Sequence, residues 1–187
     1  MKRIVVGICG ASGALFARKA LEILRRTAEV ETHLVISEAG RMTVRHELGV
    51  EVEVLHSLAD RVHDHRDLAA GPASGSFEAH GMIIVPCSVR TLSAIAYSQT
   101  ADLMTRAADV MLKERRPLVL MVRETPLHAG HLKAMLAATE AGAIIAPPVP
   151  ALYTRPHSID DLALQTAARA LALVGIACPA MYRWAQE

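Results

Sequence analysis

The sequence predicts an α/β fold in which a mostly parallel sheet is covered by helices on both faces. Apolar runs of strand length alternate along the chain with segments of helical spacing, which is the pattern of successive βαβ units. The strand candidates are apolar throughout rather than alternating, as expected for parallel strands that are buried on both faces. The chain has 187 residues, which fits a single domain over 1–187.

Five strands and six helices are expected. The strands are predicted at residues 4–9, 31–36, 81–85, 118–122 and 143–146. The helices are predicted at residues 14–27, 38–47, 91–98, 103–115, 131–141 and 159–174. Two stretches rich in glycine, proline or serine, at 71–76 and 146–150, are predicted to be loops.

Composition excludes several classes of partner. The formal net charge is +1, so electrostatics gives no case for nucleic acid or an acidic membrane, and such a surface permits self-association. No apolar run approaches the roughly 18 residues that a membrane span needs, and the start is too short for a signal peptide. The three cysteines, Cys9, Cys87 and Cys178, show no CxxC spacing and are expected to be buried free thiols. We therefore expect a cytoplasmic protein.

The end of the first strand carries the first candidate site. In folds of this class, ligands bind beyond the carboxyl ends of the strands. The stretch GICGASGALF, residues 7–16, is a glycine turn that enters a helix, so its N–H groups can approach an anion. Ser12 can cap the helix or donate to a phosphate. The pattern is shorter than GxGxxG, and no acidic residue ends the second strand, so a mononucleotide fits better than NAD. A plain tight turn remains the alternative.

Hydroxyl groups follow the second and third strands. Ser37 suits a ribityl or phosphate contact, or simply the cap of the next helix. Ser88 and Thr91 open a helix, so their hydroxyls and the first N–H groups of that helix converge, with Arg90 in the same turn. A serine cap is again the alternative.

The fourth strand leads directly into Arg123 and Glu124. A guanidinium suits a phosphate or a flavin carbonyl edge. A carboxyl group in a partly buried cleft can stay protonated and donate its proton. Because neighbours in a strand point to opposite faces, the two need not be partners, although a surface salt bridge is the alternative.

The fifth strand leads through a proline-rich loop to PALYTRPHSIDD, residues 150–161. Tyr153 and Arg155 lie in this loop, and Ser158 is a good helix cap. Arg169 lies in the middle of the last helix, where an arginine is usually solvated, so the local pattern alone does not select it.

Taken together, these stretches resemble the UbiX-type flavin prenyltransferases. The segments GASG, PASGS, PCSVRTLSA, RAADVMLKERRPLVLMVRETPL and YTRPHSIDDL stand in that family's order and spacing, over nearly the whole chain. The resemblance implies a Rossmann-like (flavodoxin-like) three-layer sandwich that assembles into a homododecamer. It also implies metal-independent transfer of a dimethylallyl group from dimethylallyl phosphate to N5 and C6 of reduced FMN. The product, prenylated FMN, serves UbiD-type decarboxylases.

The resemblance assigns roles by position. It implies FMN binding by Gly10, Ala11, Ser12, Ser37, Ser88, Val89, Arg90, Thr91 and Arg123. It implies that the prenyl phosphate is held by Tyr153, Arg169, Lys113 and Arg123. Catalytic roles are implied for Glu124, Lys113, Ser12 and Glu47. Glu124 would be the acid that helps the phosphate leave and later relays a proton. Cationic side chains would stabilise the leaving anion.

Two positions deserve comparison with the family pattern. Some relatives carry a tryptophan just before the PASGS loop, where this chain has Leu68, so the apolar wall beside the prenyl group would be built differently. Trp184 matches a tail that usually packs against a neighbouring subunit.

Three other functions compete with this interpretation. A non-catalytic FMN-binding subunit of an aromatic-acid decarboxylase would keep the FMN residues but could lose Glu124, Lys113 or Tyr153, and all three are present. A flavin-dependent decarboxylase of cysteine-containing peptides would use a PxMNxxM clamp, which is absent from the sequence. A flavodoxin-like electron carrier would be expected to have an acidic surface bias, which is also absent.

Overall fold

Six parallel strands form one sheet in the computed structural model, which describes residues 1–184. The strands are β1 (Lys2–Ile8), β2 (Val30–Ile36), β3 (Arg61–His63), β4 (Gly81–Cys87), β5 (Leu118–Val122) and β6 (Ile144–Ile145). Their order across the sheet is β3-β2-β1-β4-β5-β6, and every neighbouring pair is parallel. All carboxyl ends therefore meet at one edge of the sheet.

The sheet is covered by helices on both faces. They are α1 (Ala14–Arg25), α2 (Glu38–Leu48), α3 (Glu53–His56), α4 (Val89–Ala96), α5 (Leu103–Lys113), α6 (Ala129–Glu140) and α7 (Ile159–Leu173). Short 3₁₀ turns lie at Gly71–Ala73, Gly75–Phe77 and Leu152–Thr154. No helix in the described part of the chain has the length and apolar character that crossing a membrane requires.

Successive residues of β1 point into two separate cores. Ile4, Val6 and Ile8 pack with α1 and α7, whereas Val5 and Cys9 pack with α4, α5 and α6 on the other face. Both cores are shielded from solvent, since Ile4, Val5 and Val6 are 0% exposed. Burying each such side chain contributes about 1.5–3 kcal/mol, so the uninterrupted apolar strands are the main source of stability.

The predicted three-layer α/β fold is confirmed, and so are its five strands. In chain order those five strands are arranged 2-1-3-4-5, which is the flavodoxin arrangement. The sequence analysis missed β3 and the four-residue α3. With β3 added outside β2, the order becomes that of the six-stranded Rossmann sheet. A three-residue edge strand whose residues are mostly exposed has no apolar pattern to reveal it.

The predicted helix α5 ends earlier than expected. Its last residue is Lys113 rather than Arg115, because Arg115 adopts a left-handed conformation with φ 54° that a helix cannot contain. The prediction for the cysteines is confirmed, since Cys9, Cys87 and Cys178 are all free and buried.

Candidate functional site

The strand order creates a cleft next to β1. The chain runs outward from β1 through β2 to β3, and then continues on the other side of β1 with β4. Such a reversal opens a crevice beyond the carboxyl ends of the two central strands. A cleft of ≈ 470 Å³ lies there, and the predicted residues that line it are Gly10, Ser37, Ser88, Arg90 and Thr91.

Two helices begin at this cleft with serine caps. Ser37 Oγ accepts the backbone N–H of Gly40 at 3.1 Å at the start of α2. Ser88 Oγ accepts the N–H of Thr91 at 3.3 Å at the start of α4, and its hydroxyl bonds to Thr91 Oγ1 at 3.1 Å. The cap interpretation is therefore correct for both serines. The positive ends of both helix dipoles point toward the cleft, where they favour an anion.

The glycine turn after β1 is packed tightly against α2. A Cβ atom on Gly10 would lie 2.5 Å from Cβ of Ala39, so only glycine allows this approach. Gly13, with φ 123°, is the N-cap of α1 and provides no side-chain cap. The alternative in which Ser12 caps α1 is therefore wrong, and its hydroxyl lies beside Glu47, where it helps to lower the pKa of that carboxyl group.

Glu47 takes the place of the missing cap. Its carboxylate accepts the backbone N–H groups of Gly13, at 2.9 and 3.2 Å, and of Ala14, at 2.8 Å. Burial acts to raise the pKa of Glu47, but hydrogen bonds from Ser12, Gly13 and Ala14, together with the charge of Arg123, lower it overall. A carboxylate held in this way serves as an ionised anchor rather than as a proton donor.

Arg123 and Glu124 leave β5 at the same edge. The N–H of Arg123 donates to the Cys87 carbonyl at 3.0 Å, which continues the pairing of β4 with β5 into the loop. The guanidinium of Arg123 is close enough to Glu47 to lower its pKa. Glu124 Oε1 accepts the N–H of Thr125 at 3.0 Å, so a bond within its own loop engages this carboxylate.

Tyr153 and Arg169 are brought together by the fold. They line a hollow of ≈ 140 Å³ together with Met121, which lies near the end of β5, and Pro147, which lies in the loop after β6. Met121 is two residues before Arg123, so this hollow lies at the same carboxyl edge of the sheet as the cleft. Arg169 thus lines a cavity, although its local sequence gave no reason to choose it as a site residue.

The C-terminal tail closes this hollow. Gln165 on α7 donates through Nε2 to the Ala180 carbonyl at 2.9 Å, and its Oε1 accepts the Tyr182 N–H at 2.7 Å. The ring of Trp184 packs edge-on against Tyr153, with centroids 5.2 Å apart. Gln165 was not predicted, because a lone polar residue on a helix gives no signal.

Lys113 lies elsewhere. It is the last residue of α5 and lines a hollow with Pro117 and Ile144, at the amino ends of β5 and β6. The five residues of β5, at about 3.3 Å each, separate this edge from Arg123. Within one protomer, the predicted closure of Lys113 and Arg123 around one phosphate is therefore wrong.

Two arginines hold the PASGS loop and were also not predicted. Arg106 Nε donates to the Ala73 carbonyl at 3.1 Å, and Arg116 Nη2 donates to the Gly75 carbonyl at 2.9 Å. Both belong to the long RAADVMLKERRP segment. Two of the basic residues in that segment therefore serve to hold a loop in place.

Cys9 is a further residue of the cleft that the sequence analysis treated only as a buried thiol. Its Sγ accepts the N–H of Ser88 at 2.9 Å, and its thiol donates to the Pro86 carbonyl at 3.0 Å. A hydrogen bond from Cys87 lowers the pKa of Cys9 most, burial opposes it, and bonds from Ser88 and Thr91 assist, which leaves the pKa at about 6. Its position directly after a strand at the switch point was the available signal.

The family is decided by sequence comparison. Residues 1–167 match the family model described as Flavoprotein. Flavin prenyltransferase UbiX of Escherichia coli K12 is 55% identical over 179 residues, covering 96% of this chain and 95% of that protein. This chain belongs to the UbiX flavin prenyltransferase family. Its transferase class, FMN dependence and α/β fold follow from that membership.

Solved UbiX structures have the same architecture. The crystal structure of AnUbiX in complex with FMN and dimethylallyl pyrophosphate has a TM-score of 0.96 at 49% identity, covering 100% of this chain and 98% of that one. A dodecameric FMN-dependent UbiX-like decarboxylase from Escherichia coli O157:H7 has a TM-score of 0.94 at 42% identity, covering 97% and 98%. The prenyltransferase relatives match nearly the full length, which does not favour the non-catalytic alternative.

The cleft of this UbiX-type chain fits FMN chemically. Its donors are serine and threonine hydroxyls, two helix N-termini and the side chain of Arg90, which together suit a phosphate and a polyol chain. Neutral hydroxyls and backbone N–H groups bind a phosphate without a metal ion.

Proposed function

We propose that this chain joins a dimethylallyl group from dimethylallyl phosphate to N5 and C6 of reduced FMN, and releases prenylated FMN. The observation that carries this proposal is that two cavities lie at the carboxyl edge of the sheet, where residues 123–125 leave β5. One is the cleft with its phosphate donors, and the other is the hollow of Tyr153 and Arg169. An acid in that loop can serve a reaction between two ligands.

FMN would be held by the residues that follow β1, β2 and β4. The turn of Gly10, Ala11 and Ser12 and the starts of α2 and α4 supply N–H and hydroxyl donors, and the Arg90 and Arg123 guanidinium groups add charge. When bound, reduced FMN supplies the nucleophilic ring atoms. The protein therefore needs no nucleophilic side chain of its own for the transfer.

The prenyl donor would lie against Tyr153, with Arg169 and Arg123 on its phosphate. Breaking the allylic C–O bond leaves a phosphate anion, which the guanidinium groups stabilise as its charge develops. The ring of Tyr153 offers a π face to the departing allyl cation. Glu124 would protonate the phosphate oxygen as it leaves and later accept the proton that the flavin ring loses.

Lys113 can take part in this step only from a neighbouring protomer. Its side chain is 46% exposed, and it lies at the sheet edge opposite Arg123. Self-association is supported by Leu132 and Leu136, which are 54% and 59% exposed one turn apart on α6. We propose a dodecamer in which Lys113 of one protomer completes the phosphate site of another.

The product would be passed to a UbiD-type decarboxylase, because a modified flavin released by this enzyme needs an acceptor protein. Placement in the cytoplasm is supported by three cysteines that are free, as in a reducing compartment.

The decisive experiment is anaerobic. The protein is mixed with reduced FMN and either dimethylallyl monophosphate or dimethylallyl diphosphate, and the released flavin is analysed by mass spectrometry. A flavin heavier by one prenyl unit with either donor is the expected result, and the more active donor identifies the substrate. Unmodified flavin with both donors, despite tight binding of FMN, would instead support the non-catalytic subunit.

A further inference from the structure

Two histidines join the edge strand β3 to the rest of the sheet. His63 Nε2 on β3 lies 2.9 Å from Nδ1 of His33 on β2, and the two rings are stacked at 15° with their centroids 5.2 Å apart. His33 is 4% exposed, and the ring of Phe77 packs edge-on against it at 4.8 Å. Because β3 has three residues and few backbone hydrogen bonds, this side-chain bond is an important attachment of its carboxyl end.

A hydrogen bond between two imidazole rings limits the number of protons that the pair can hold. One of the two nitrogens must carry a hydrogen, and the other must offer a lone pair. The bond survives when one ring is charged, because the charged ring donates to the neutral one. It cannot survive when both rings are charged, since both nitrogens are then donors and the two charges repel each other.

Charged groups lie on every element that packs against the pair. They are Arg3 on β1, Glu31 on β2, Arg61 on β3, Asp67 after β3, His65 and Asp64, which face each other at 3.5 Å, and Arg106 and Asp109 on α5, which bond to each other. His33 Nε2 is buried and makes no hydrogen bond within the described part of the chain. Its distance of 3.7 Å from Glu31 Oε1 is too long for one.

Burial lowers the pKa of both histidines more than any other cause does. For His33, the charge of Glu31 opposes this effect, and the charges of the partner ring and of Arg3 add to it. For His63, the charge of Asp67 opposes it. The contribution of the pair to stability is therefore present above the ordinary value of 6.5 and is lost as pH falls through the lower folded pKa values.

We propose that the hydrogen bond between His33 and His63 is a latch that opens when both rings are charged and releases β3 and residues 64–70 from the sheet. Residues 64–70 follow His63 directly and are mostly exposed, so little burial holds them in place. The amino end of β3 stays attached, because Asp60 accepts the Thr32 N–H at 2.8 Å and donates its own N–H to the Thr32 carbonyl at 3.1 Å. The opening is thus local.

Release of this segment would reach the flavin cleft through α5. The His65 carbonyl accepts the N–H of Leu103, the first residue of α5, at 2.8 Å. Asp102, the N-cap of α5, and Thr105, which completes its capping box, both line the cleft. Opening the latch removes a partner from this helix start, so FMN should bind more weakly in acid. This consequence rests on the FMN site proposed above, whereas the latch itself does not.

The test is hydrogen exchange of the flavin-free full-length protein at pH 7.5 and pH 5.0, read by mass spectrometry of its peptides. Each proton taken up on opening contributes up to about tenfold per pH unit below 6.5. After correction for the intrinsic pH dependence of exchange, protection of residues 61–70 should therefore fall at least about tenfold at pH 5.0. The buried strand β5 is the internal reference and should keep its protection. Equal protection of residues 61–70 at both pH values, or an equal loss in β5, would overturn the proposal.

Glutamine in place of either histidine keeps the bond and removes the conflict between two charged rings. Its amide offers both a donor and an acceptor, so it can bond to the remaining imidazole whether that ring is neutral or charged. His33→Gln and His63→Gln should each reduce the acid effect at least about threefold. His80→Gln is the matched control, because His80 is exposed and lies outside the pair. Circular dichroism verifies folding. An undiminished acid effect in whichever of the two variants folds would overturn the latch.

A final arm measures FMN affinity by fluorescence at the same two pH values. The phosphate of FMN itself titrates at about pH 6, so the natural chain is compared with the folded glutamine variant at each pH. A loss of affinity at pH 5.0 that is at least about threefold larger in the natural chain supports the link between latch and cleft. Equal losses refute that link. If neither chain binds FMN at pH 7.5, the proposed function fails, while hydrogen exchange still decides the latch.

Discussion

Both carboxylate oxygens of Glu47 accept the backbone N–H of Gly13, at 2.9 and 3.2 Å. Gly13 is the N-cap of α1, and Glu47 lies in the last turn of α2, so one side chain ties the end of a helix to the start of another. The site prediction treated Glu47 as catalytic. Its contacts support a different use, in which it fixes the turn that would bind FMN.

Replacing Glu47 by glutamine should lower both stability and FMN affinity. The amide keeps one acceptor oxygen but loses the charge that strengthens three N–H contacts, and the exposure of this side chain limits the cost to about 1 kcal/mol. Urea unfolding and FMN titration measure the two effects. Unchanged FMN affinity with intact stability would show that the turn holds its shape without this anchor.

The same contact predicts a pH dependence of stability. Because the pKa of folded Glu47 lies below its ordinary value of 4.5, its contribution is fully present above pH 4.5 and is lost as pH falls through the folded pKa. The difference in unfolding free energy between the natural chain and Glu47→Gln should therefore shrink below pH 4.5. A difference that stays constant from pH 7 to pH 3.5 would contradict this assignment.

Glu124→Gln should bind FMN normally and transfer the prenyl group slowly. The substitution preserves the acceptor for Thr125 N–H but removes the proton that the leaving phosphate needs, which costs about 10²–10⁴-fold in rate. Single-turnover kinetics by mass spectrometry measure the loss. Thr125→Val serves as the matched control, because it changes the same loop without a titratable group. A normal rate for Glu124→Gln would remove Glu124 from the mechanism.

Mixed oligomers should reveal whether Lys113 acts between protomers. Lys113→Ala and Glu124→Gln should each be nearly inactive alone, because every site then lacks one group. Co-assembly of the two variants from an equal mixture should restore about a quarter of the sites, since Lys113 and Glu124 of a site come from different chains. Activity per site after reassembly is the measurement.

The control for this experiment uses two residues of one loop. Arg123→Ala and Glu124→Gln affect the same site of the same protomer, so mixing them should restore nothing. Recovery in this control, or no recovery with Lys113→Ala despite verified mixing, would rule out a Lys113 contribution across the interface.

Trp184 should report occupancy of the Tyr153 hollow. It is the single tryptophan of the chain, so intrinsic fluorescence follows the tail directly. Gln165→Ala removes two hydrogen bonds to the tail, worth about 1 kcal/mol each, so it should shift the emission to longer wavelength and raise KM for the prenyl donor about 5- to 30-fold. Thr139→Val, which removes one hydrogen bond to the Met135 carbonyl on α6, should do neither.

The sequence analysis was most successful where burial dictates residue type. The strand at 118–122 was predicted to the residue, because a strand buried on both faces admits only apolar side chains. The edge strand β3 escaped notice because exposed edges impose no such constraint. Its His63 nevertheless bonds to the buried His33 at 2.9 Å, which links β3 to β2 in a way that no pattern shows.

The site was predictable in part for a similar reason. Residues that follow strands, such as Ser37 and Ser88, were predicted to lie near one another, and both line the cleft because the topology gathers the strand ends. Gln165 was missed because its role arises from contacts between segments distant in sequence. Lys113 was selected by resemblance, and its place at the opposite edge follows from the alternation of helix and strand, since a helix that precedes a strand ends where the strand begins.

Both edges of this sheet are formed by very short strands, three residues in β3 and two in β6. Unpaired edge strands are where sheets recruit one another, and edges this short offer almost no backbone groups for another chain to pair with. Protomers of this protein are thereby prevented from assembling by extending the sheet. Contacts between subunits must then be made by helices and loops, so the carboxyl edge of the sheet can itself lie where subunits meet.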